Sequence, residues 1–280
     1  MHNSTLYRFI SLYNATESNA LLTSLLRKLT VTTLLLIISL QNYAFANSKL
    51  VELIKEVKPS VVAIGLYTPI QTKASQILGT GFVVGNGKYI VTNYHVVSKE
   101  LDPKIVQYYV AVSGEGKQAK LDEMSLIGID PVHDLALFSI QNPLPALTLS
   151  ASTFSETGSE IAMIGFPIGA VLGLYPATHV GIIAAIAPDV NPARNADQLT
   201  LQMLKRLKEP FLIYQLDITA FPGNSGSPVF DRETREVIGI LNKVFVSEGK
   251  EAELTNPSGI SYAIPVKHLR KLAQDNNIEL

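Results

Sequence analysis

Downstream of Pro59 the chain is a succession of short β-prone runs, each closed by turn residues, and that texture limits its fold more than any other feature. The first run is Val61-Val62-Ala63-Ile64-Gly65-Leu66-Tyr67. Residues 80–84 and 88–92 then flank Gly85-Asn86-Gly87. An Asn-Gly step between β-branched runs is a hairpin signal, because the turn needs left-handed dihedrals that these residues adopt at least cost. Further runs fall at 105–112, 136–140, 161–164, 178–186, 211–218, 228–230, 237–246 and 259–263. Long helical patterns do not alternate with them, so the spacing points to a sandwich or barrel and away from a doubly wound sheet.

Helical periodicity occurs in three places. Residues 49–58 carry Leu50, Leu53, Ile54 and Val57 at helical spacing before Pro59 ends the pattern. Leu199, Met203, Leu204 and Leu207 mark an amphipathic surface helix over 195–208, inserted between strands, with Lys205, Arg206 and Lys208 on its solvated face. Leu269 and Leu272 predict a capping helix over 266–275. A boundary is expected near Pro143-Leu144-Pro145, dividing the chain into residues 47–142 and 143–280 behind a leader of residues 1–46.

The leader is read from its own pattern. Arg27 and Lys28 precede a run of twelve mostly apolar residues, 29–40, and Ala44-Phe45-Ala46 follows. A basic flank, a short apolar centre and a small-x-small end are the parts of a secretory signal, with cleavage after Ala46. Twelve residues fall short of the ~17–25 that a membrane-spanning helix needs, so no stable span is expected after cleavage. The 26 residues before Arg27 form an overlong leading region. Export agrees with the absence of cysteine from the chain, which needs no oxidative folding and suits a bacterial envelope.

Composition excludes several classes. The formal charge is −1, without the basic excess of a nucleic-acid binder. Without cysteine there is neither a thiolate metal site nor a cysteine nucleophile, and no H-E-x-x-H motif offers zinc a pair of histidines. No metal and no cofactor are expected.

Three segments carry chemistry. Thr92-Asn93-Tyr94-His95-Val96-Val97 puts a histidine at the end of a hairpin strand. His133-Asp134-Leu135-Ala136-Leu137-Phe138 puts an acid directly before a buried strand, with Asp130 a neighbouring candidate. Gly223-Asn224-Ser225-Gly226-Ser227-Pro228 brackets a serine with glycines. A serine hydroxyl needs an adjacent base, and imidazole can take its proton and return it to the leaving group. A carboxylate on the other ring nitrogen fixes the tautomer and stabilises the transient cation. Gly223 allows a turn in which its N–H and that of Ser225 converge on a developing oxyanion. An α/β-hydrolase elbow is disfavoured, since Ser227 stands where G-x-S-x-G needs glycine and only His268 lies downstream.

These motifs, in the order His, Asp, Ser, resemble the triad motifs of trypsin-fold serine proteases, most closely the bacterial HtrA/Deg branch. Gly79-Thr80-Gly81-Phe82-Val83, Gly165-Phe166-Pro167-Ile168-Gly169, Gln215-Leu216-Asp217 and Gly259-Ile260-Ser261-Tyr262-Ala263-Ile264-Pro265 extend the resemblance over roughly residues 50–272. It implies an all-β fold of two packed six-stranded antiparallel barrels, with short N-terminal, inserted and C-terminal helices. It also implies a serine endopeptidase acting on polypeptides through an acyl-enzyme, in envelope protein quality control or processing. His95, Asp134 and Ser225 would be catalytic, and Gly223, Asn224 and Ser225 would form the oxyanion hole. Thr219, six residues before the serine, would floor the primary pocket, with Asn242, Lys243 and Val244 as its wall. An uncharged floor and branched Val244 imply a small or medium apolar residue before the scissile bond.

Three departures qualify the match. Ser227 replaces the second glycine after the nucleophile, the 188–208 connection is long, and the chain ends at Leu280 without room for the PDZ domain of HtrA proteins. Peptide-gated activation through such a domain is not expected, and a homo-oligomer is compatible with the resemblance without being implied by it. The alternative function is a catalytically silent trypsin-fold binding or chaperone-like module.

Overall fold

The computed structural model describes residues 24–34, 49–69, 75–167, 173–189, 210–244 and 259–280. The chain divides into two compact units, Met1–Glu52 and Leu53–Leu280. In the first, helix α1 (24–34) covers the start of the apolar leader run and leaves Leu25, Leu29 and Leu34 exposed. Among the described residues no helix is long and apolar enough to cross a membrane. The rest of the leader, including the Ala44-Phe45-Ala46 site, lies outside the described residues.

Helix α2 (49–57) leads into the second unit, burying Leu53 and Val57, and a 3₁₀ turn over Lys58–Ser60 delivers the chain to β1. Seven strands follow: β1 (Val61–Tyr67), β2 (Ser75–Val84), β3 (Tyr89–Thr92), β4 (Tyr108–Ser113), β5 (Lys120–Glu123), β6 (Ser125–Asp130) and β7 (Leu135–Ser139). They form one antiparallel sheet in the order β5-β4-β1-β2-β3-β7-β6. Its two edge strands, β5 and β6, are consecutive in sequence and separated only by Met124. The sheet therefore has to curl until its edges share one stretch of chain. Met124 turns inward at that corner, buried, with its N–H donated to Tyr109 O at 2.9 Å.

A second set comprises β8 (Glu160–Gly165), β9 (Ala177–Pro188), β10 (Leu212–Asp217), β11 (Pro228–Asp231), β12 (Val237–Val244) and β13 (Ile260–Pro265). Here the ladder closes in the order β10-β13-β12-β11-β8-β9. Among the described residues the molecule is thus mostly β, with one closed six-stranded barrel, as expected, and one curled seven-stranded half-barrel sheet where the second six-stranded barrel was expected. The physical reason is the corner at Met124, which splits one segment into two strands on opposite edges. Strands β5 and β6 leave little trace in the sequence, because Leu121, Leu126 and Ile129 face outward and blur the alternation. Strand β4 also begins three residues later than its apolar run.

Period-2 alternation builds each core. Val62, Ile64, Val83, Ile90, Ala136 and Phe138 fill the curled sheet. Ile161, Met163, Ile183, Tyr214, Leu216 and Val229 fill the barrel. Helix α3 (Val266–Asp275) lays Val266, Leu269, Leu272 and Ala273 inward, as its stripe predicts. Arg270 Nη2 on this helix donates to the carbonyls of Leu149 and Ser150, tying down the connection between the two lobes. The expected helix over 195–208 lies outside the described residues.

Candidate active site

The site is assembled at the seam of the two lobes. Strand β3 ends at Thr92, and a 3₁₀ turn over Tyr94–Val96 carries His95. Buried Asn93 donates its side-chain amide to Asp134 O at 3.1 Å, and Tyr94 N–H donates to the same carbonyl at 3.1 Å. Asp134 itself holds φ of +54°, a left-handed conformation unusual for a residue with a Cβ. That geometry turns its carboxylate back toward His95. His95 N–H donates to Asp134 Oδ1 at 2.8 Å, and His95 Nδ1 lies 2.6 Å from Asp134 Oδ2. With Nδ1 engaged, Nε2 is left for chemistry, and the ring is half-exposed. Of the two candidate acids, Asp134 meets His95, while Asp130 faces His133 with its Oδ2 2.5 Å from the ring Nδ1.

The other lobe supplies the serine turn. Asn224 N–H bonds to Phe221 O at 3.0 Å, closing a turn with Pro222 and Gly223 at its centre, and Gly223 takes φ of +97°. Because the Asn224 N–H is engaged inside the turn, it is not among the donors aimed outward. Among the described residues the N–H groups of Gly223 and Ser225 have no acceptor from the chain. Gly226, φ +88°, packs so closely on Thr80 that a Cβ there would meet Thr80 O at 2.1 Å. Side chains at that position are excluded by space as well as by φ.

Thr80 of β2 joins the lobes. Its N–H donates to Ser225 O at 2.9 Å, its hydroxyl donates to Gly223 O at 2.7 Å, and that hydroxyl accepts Phe166 N–H at 3.0 Å. Thr92 Oγ1 in turn donates to Thr80 O at 2.7 Å. The strand leading to the histidine and the turn holding the serine thus share one buried threonine.

Asn242 completes the junction. The β12–β13 register slips between Leu241 and Lys243, leaving Asn242 as an unpaired, bulged residue. Its Nδ2 lies 2.5 Å from Asp134 Oδ2, and its backbone carbonyl accepts the Ser225 hydroxyl at 3.4 Å. Expected in the pocket wall, Asn242 instead faces the carboxylate. Hydrogen bonds run without a break from His95 through Asp134 and Asn242 to Ser225. The Ser225 hydroxyl itself rests on the Asn242 carbonyl and makes no bond to the imidazole.

Of the other expected pocket residues, Thr219 is half-buried just beyond β10. Lys243 and Val244 end β12, paired with Tyr262 and Ser261, and their side chains lie outside the described residues. Ser227 is fully buried, and among the described residues neither its hydroxyl nor the side-chain atoms of Asn224 have a partner. Gly165 makes room for it: a Cβ there would stand 2.1 Å from Ser227 Oγ. Among the described residues no cluster of three or more His, Cys, Asp or Glu could hold a metal.

Two β-lobes with an imidazole–carboxylate pair on one and a glycine-bracketed serine on the other have the layout of the trypsin class. Residues 79–240, more than half of the chain, match the model of the trypsin-like peptidase domain, and the chain belongs to that family. Its relatives are HtrA/DegP-like. It is 32% identical over 190 residues to a probable periplasmic serine endoprotease DegP-like of Halomonas elongata, covering 68% of this chain and 33% of that protein. The corresponding protein of Pseudomonas fulva is 31% identical over 195 residues, covering 69% and 33%. The chain thus spans about a third of the length of these relatives. Among solved structures, a tripeptide complex of the HtrA-type protease AlgW superposes with a TM-score of 0.57 at 27% identity, over 80% of this chain and 62% of that one. The active form of an M. tuberculosis protease shares the fold, with a TM-score of 0.60 at 19% identity, over 81% and 85%.

Proposed function

We propose that this chain is an exported serine endopeptidase that cleaves polypeptides through an acyl-enzyme, with Ser225 as nucleophile, His95 as base then acid, and Asp134 as orienter. The imidazole–carboxylate pair of His95 and Asp134, joined through Thr80 to a glycine-bracketed serine turn whose Gly223 and Ser225 N–H groups have no acceptor among the described residues, is the observation that carries this reading. Rotation of the Ser225 hydroxyl off the Asn242 carbonyl frees it to attack the carbonyl carbon of the scissile bond. Its proton passes to His95 Nε2 as the C–O bond forms. The oxyanion accepts hydrogen bonds from Gly223 and Ser225 N–H, a kind of contact typically contributing about 2.7–4 kcal/mol. His95 then gives its proton to the amine nitrogen as the C–N bond breaks. Water, deprotonated by the same imidazole, attacks the acyl carbon; the bond from that carbon to Ser225 Oγ then breaks as His95 returns the proton to Oγ, releasing the acid and the free serine.

An uncharged Thr219 at the pocket floor supports cleavage after small or medium apolar residues. The leader pattern of residues 1–46, and relatives named as periplasmic, support export to the bacterial envelope with a role in protein quality control or processing.

A second reading, a catalytically silent binding or chaperone-like module, draws on the resting contact of Ser225 with Asn242. One experiment separates the two. A fluorophosphonate probe is expected to label Ser225 of the mature chain, and Ser225→Ala to abolish both labelling and peptide cleavage. Absence of labelling from pH 6 to 9 would sink the hydrolase.

A further inference from the structure

His133 and His268 come together although they are 135 positions apart, and their rings stack at 3.8 Å with an interplanar angle of 23°. Phe211 closes the cluster edge-on, 4.5 Å from His133 and 5.2 Å from His268. On its other side His133 meets Asp130, whose Oδ1 also accepts the N–H groups of Val132 and His133 at 3.1 Å each. Asp130 is paired with Leu135 across the β6–β7 ladder, so residues 131–134 form the loop of this hairpin. Asp134 is the last residue of that loop.

The backbone at Asp134 explains why such a clamp is needed. A left-handed φ is sparsely populated for a residue with a Cβ, even for aspartate, which tolerates it better than most, so contacts on both sides of Asp134 are what select it. Downstream, Leu135 enters the sheet. The carbonyl of Asp134 is held by Asn93 and Tyr94. Upstream, the nearest anchored side chain is His133, gripped by a carboxylate and by a ring on α3.

We propose that His133 is a positioning residue, whose clamping between Asp130 and the His268 ring holds Asp134 in the conformation that presents its carboxylate to His95. This makes α3, through His268, a mechanical support of the site on the opposite side of Asp134 from Asn242. Burial, followed by the neighbouring His133 and Lys267, outweighs Asp130 and drives the His268 imidazole down to about 3. The ring on α3 is thus neutral at ordinary pH, and no charge repulsion opposes the stack.

The kinetic part of the test rests on the peptidase reading, and the spectroscopic part does not. His133→Ala and His268→Ala are expected to lower kcat about tenfold or more at a KM within twofold of wild type, the pattern of a misaligned site with substrate binding intact. His268→Phe, which keeps a ring face against His133, is expected to restore kcat to within about threefold. In parallel, the low-field proton resonance of the His95 Nδ1–H bonded to Asp134 is expected to broaden or move upfield in both alanine variants and to return in His268→Phe. Should His133→Ala not fold, the two His268 variants carry the test. Folded alanine variants with kcat and resonance unchanged would overturn the proposal, as would a His268→Phe no better than His268→Ala. An inactive wild type would defeat the peptidase reading alone, because the resonance still reports Asp134 in every variant.

Discussion

Asn242 Nδ2 lies 2.5 Å from Asp134 Oδ2, so a residue of the closed barrel holds the carboxylate that orients an imidazole on the other lobe. The contact depends on a bulge in β12 that turns one amide out of the ladder. The same residue's carbonyl holds the Ser225 hydroxyl at rest.

Asn242→Ala removes the amide donor and leaves one carboxylate lone pair to solvent. Peptidase kcat is expected to fall about tenfold, with the fold retained. Asn242→Asp sets a second carboxylate against Asp134 and is expected to be worse in both kcat and melting temperature. Steady-state kinetics with differential scanning calorimetry on both variants checks the order.

Thr80→Val is nearly isosteric yet strips partners from Gly223 O and Phe166 N–H at once. Each orphaned group costs about 1–3 kcal/mol, so urea denaturation is expected to show a loss of at least about 2 kcal/mol. Because Gly223 contributes a proposed oxyanion donor, kcat is expected to fall further than stability alone explains.

Ser227 and Gly165 are matched by shape. Ser227→Ala keeps the Cβ and removes a buried hydroxyl that has no partner among the described residues, so a gain of about 1 kcal/mol is expected. Gly165→Ala would force a methyl against Ser227 Oγ and Asn224 Oδ1 and is expected to cost more than about 2 kcal/mol. Adding Ser227→Gly to Gly165→Ala should recover part of that loss in the same denaturation assay.

His268 gives stability a pH dependence of fixed sign. Its imidazole is held at about 3 in the folded chain, against an ordinary value of 6.5, so between these limits the unfolded chain binds the extra proton. Stability from this group is complete above pH 6.5 and declines as pH falls toward 3. Burial lowers His179 in the same direction. For Asp130 burial pushes upward, but the His133 ring and N–H together with Val132 N–H outweigh it, so its carboxyl lies below 3.8 and its contribution is lost only in stronger acid. Thermal melts from pH 7 to 4 should show a shallower slope for His268→Phe than for wild type, without becoming flat.

Much of this site is legible along the chain because its chemistry is local. The histidine and serine segments each carry their own turn residues, and the acid stands directly before an apolar strand. Asp130 and Asp134 are harder to tell apart, since both flank the same hairpin loop. Only the positive φ at Asp134 turns that carboxylate to His95, while Asp130 takes His133. His268 reads in sequence as a surface residue of the last helix. Its stacking partner is 135 positions away, and no periodicity within α3 reports it.

By itself the sequence determined the alternation that makes the strands, the glycines that permit the serine turn, and the order of the three reactive segments. Each depends on dihedrals and side chains within a few residues. Tertiary structure alone decided that one lobe closes while the other curls around Met124, that a bulge aims Asn242 at Asp134, and that Thr80 joins Ser225 to β2. Those outcomes depend on register and close packing between segments far apart in the chain, where one unpaired residue changes which way a side chain points.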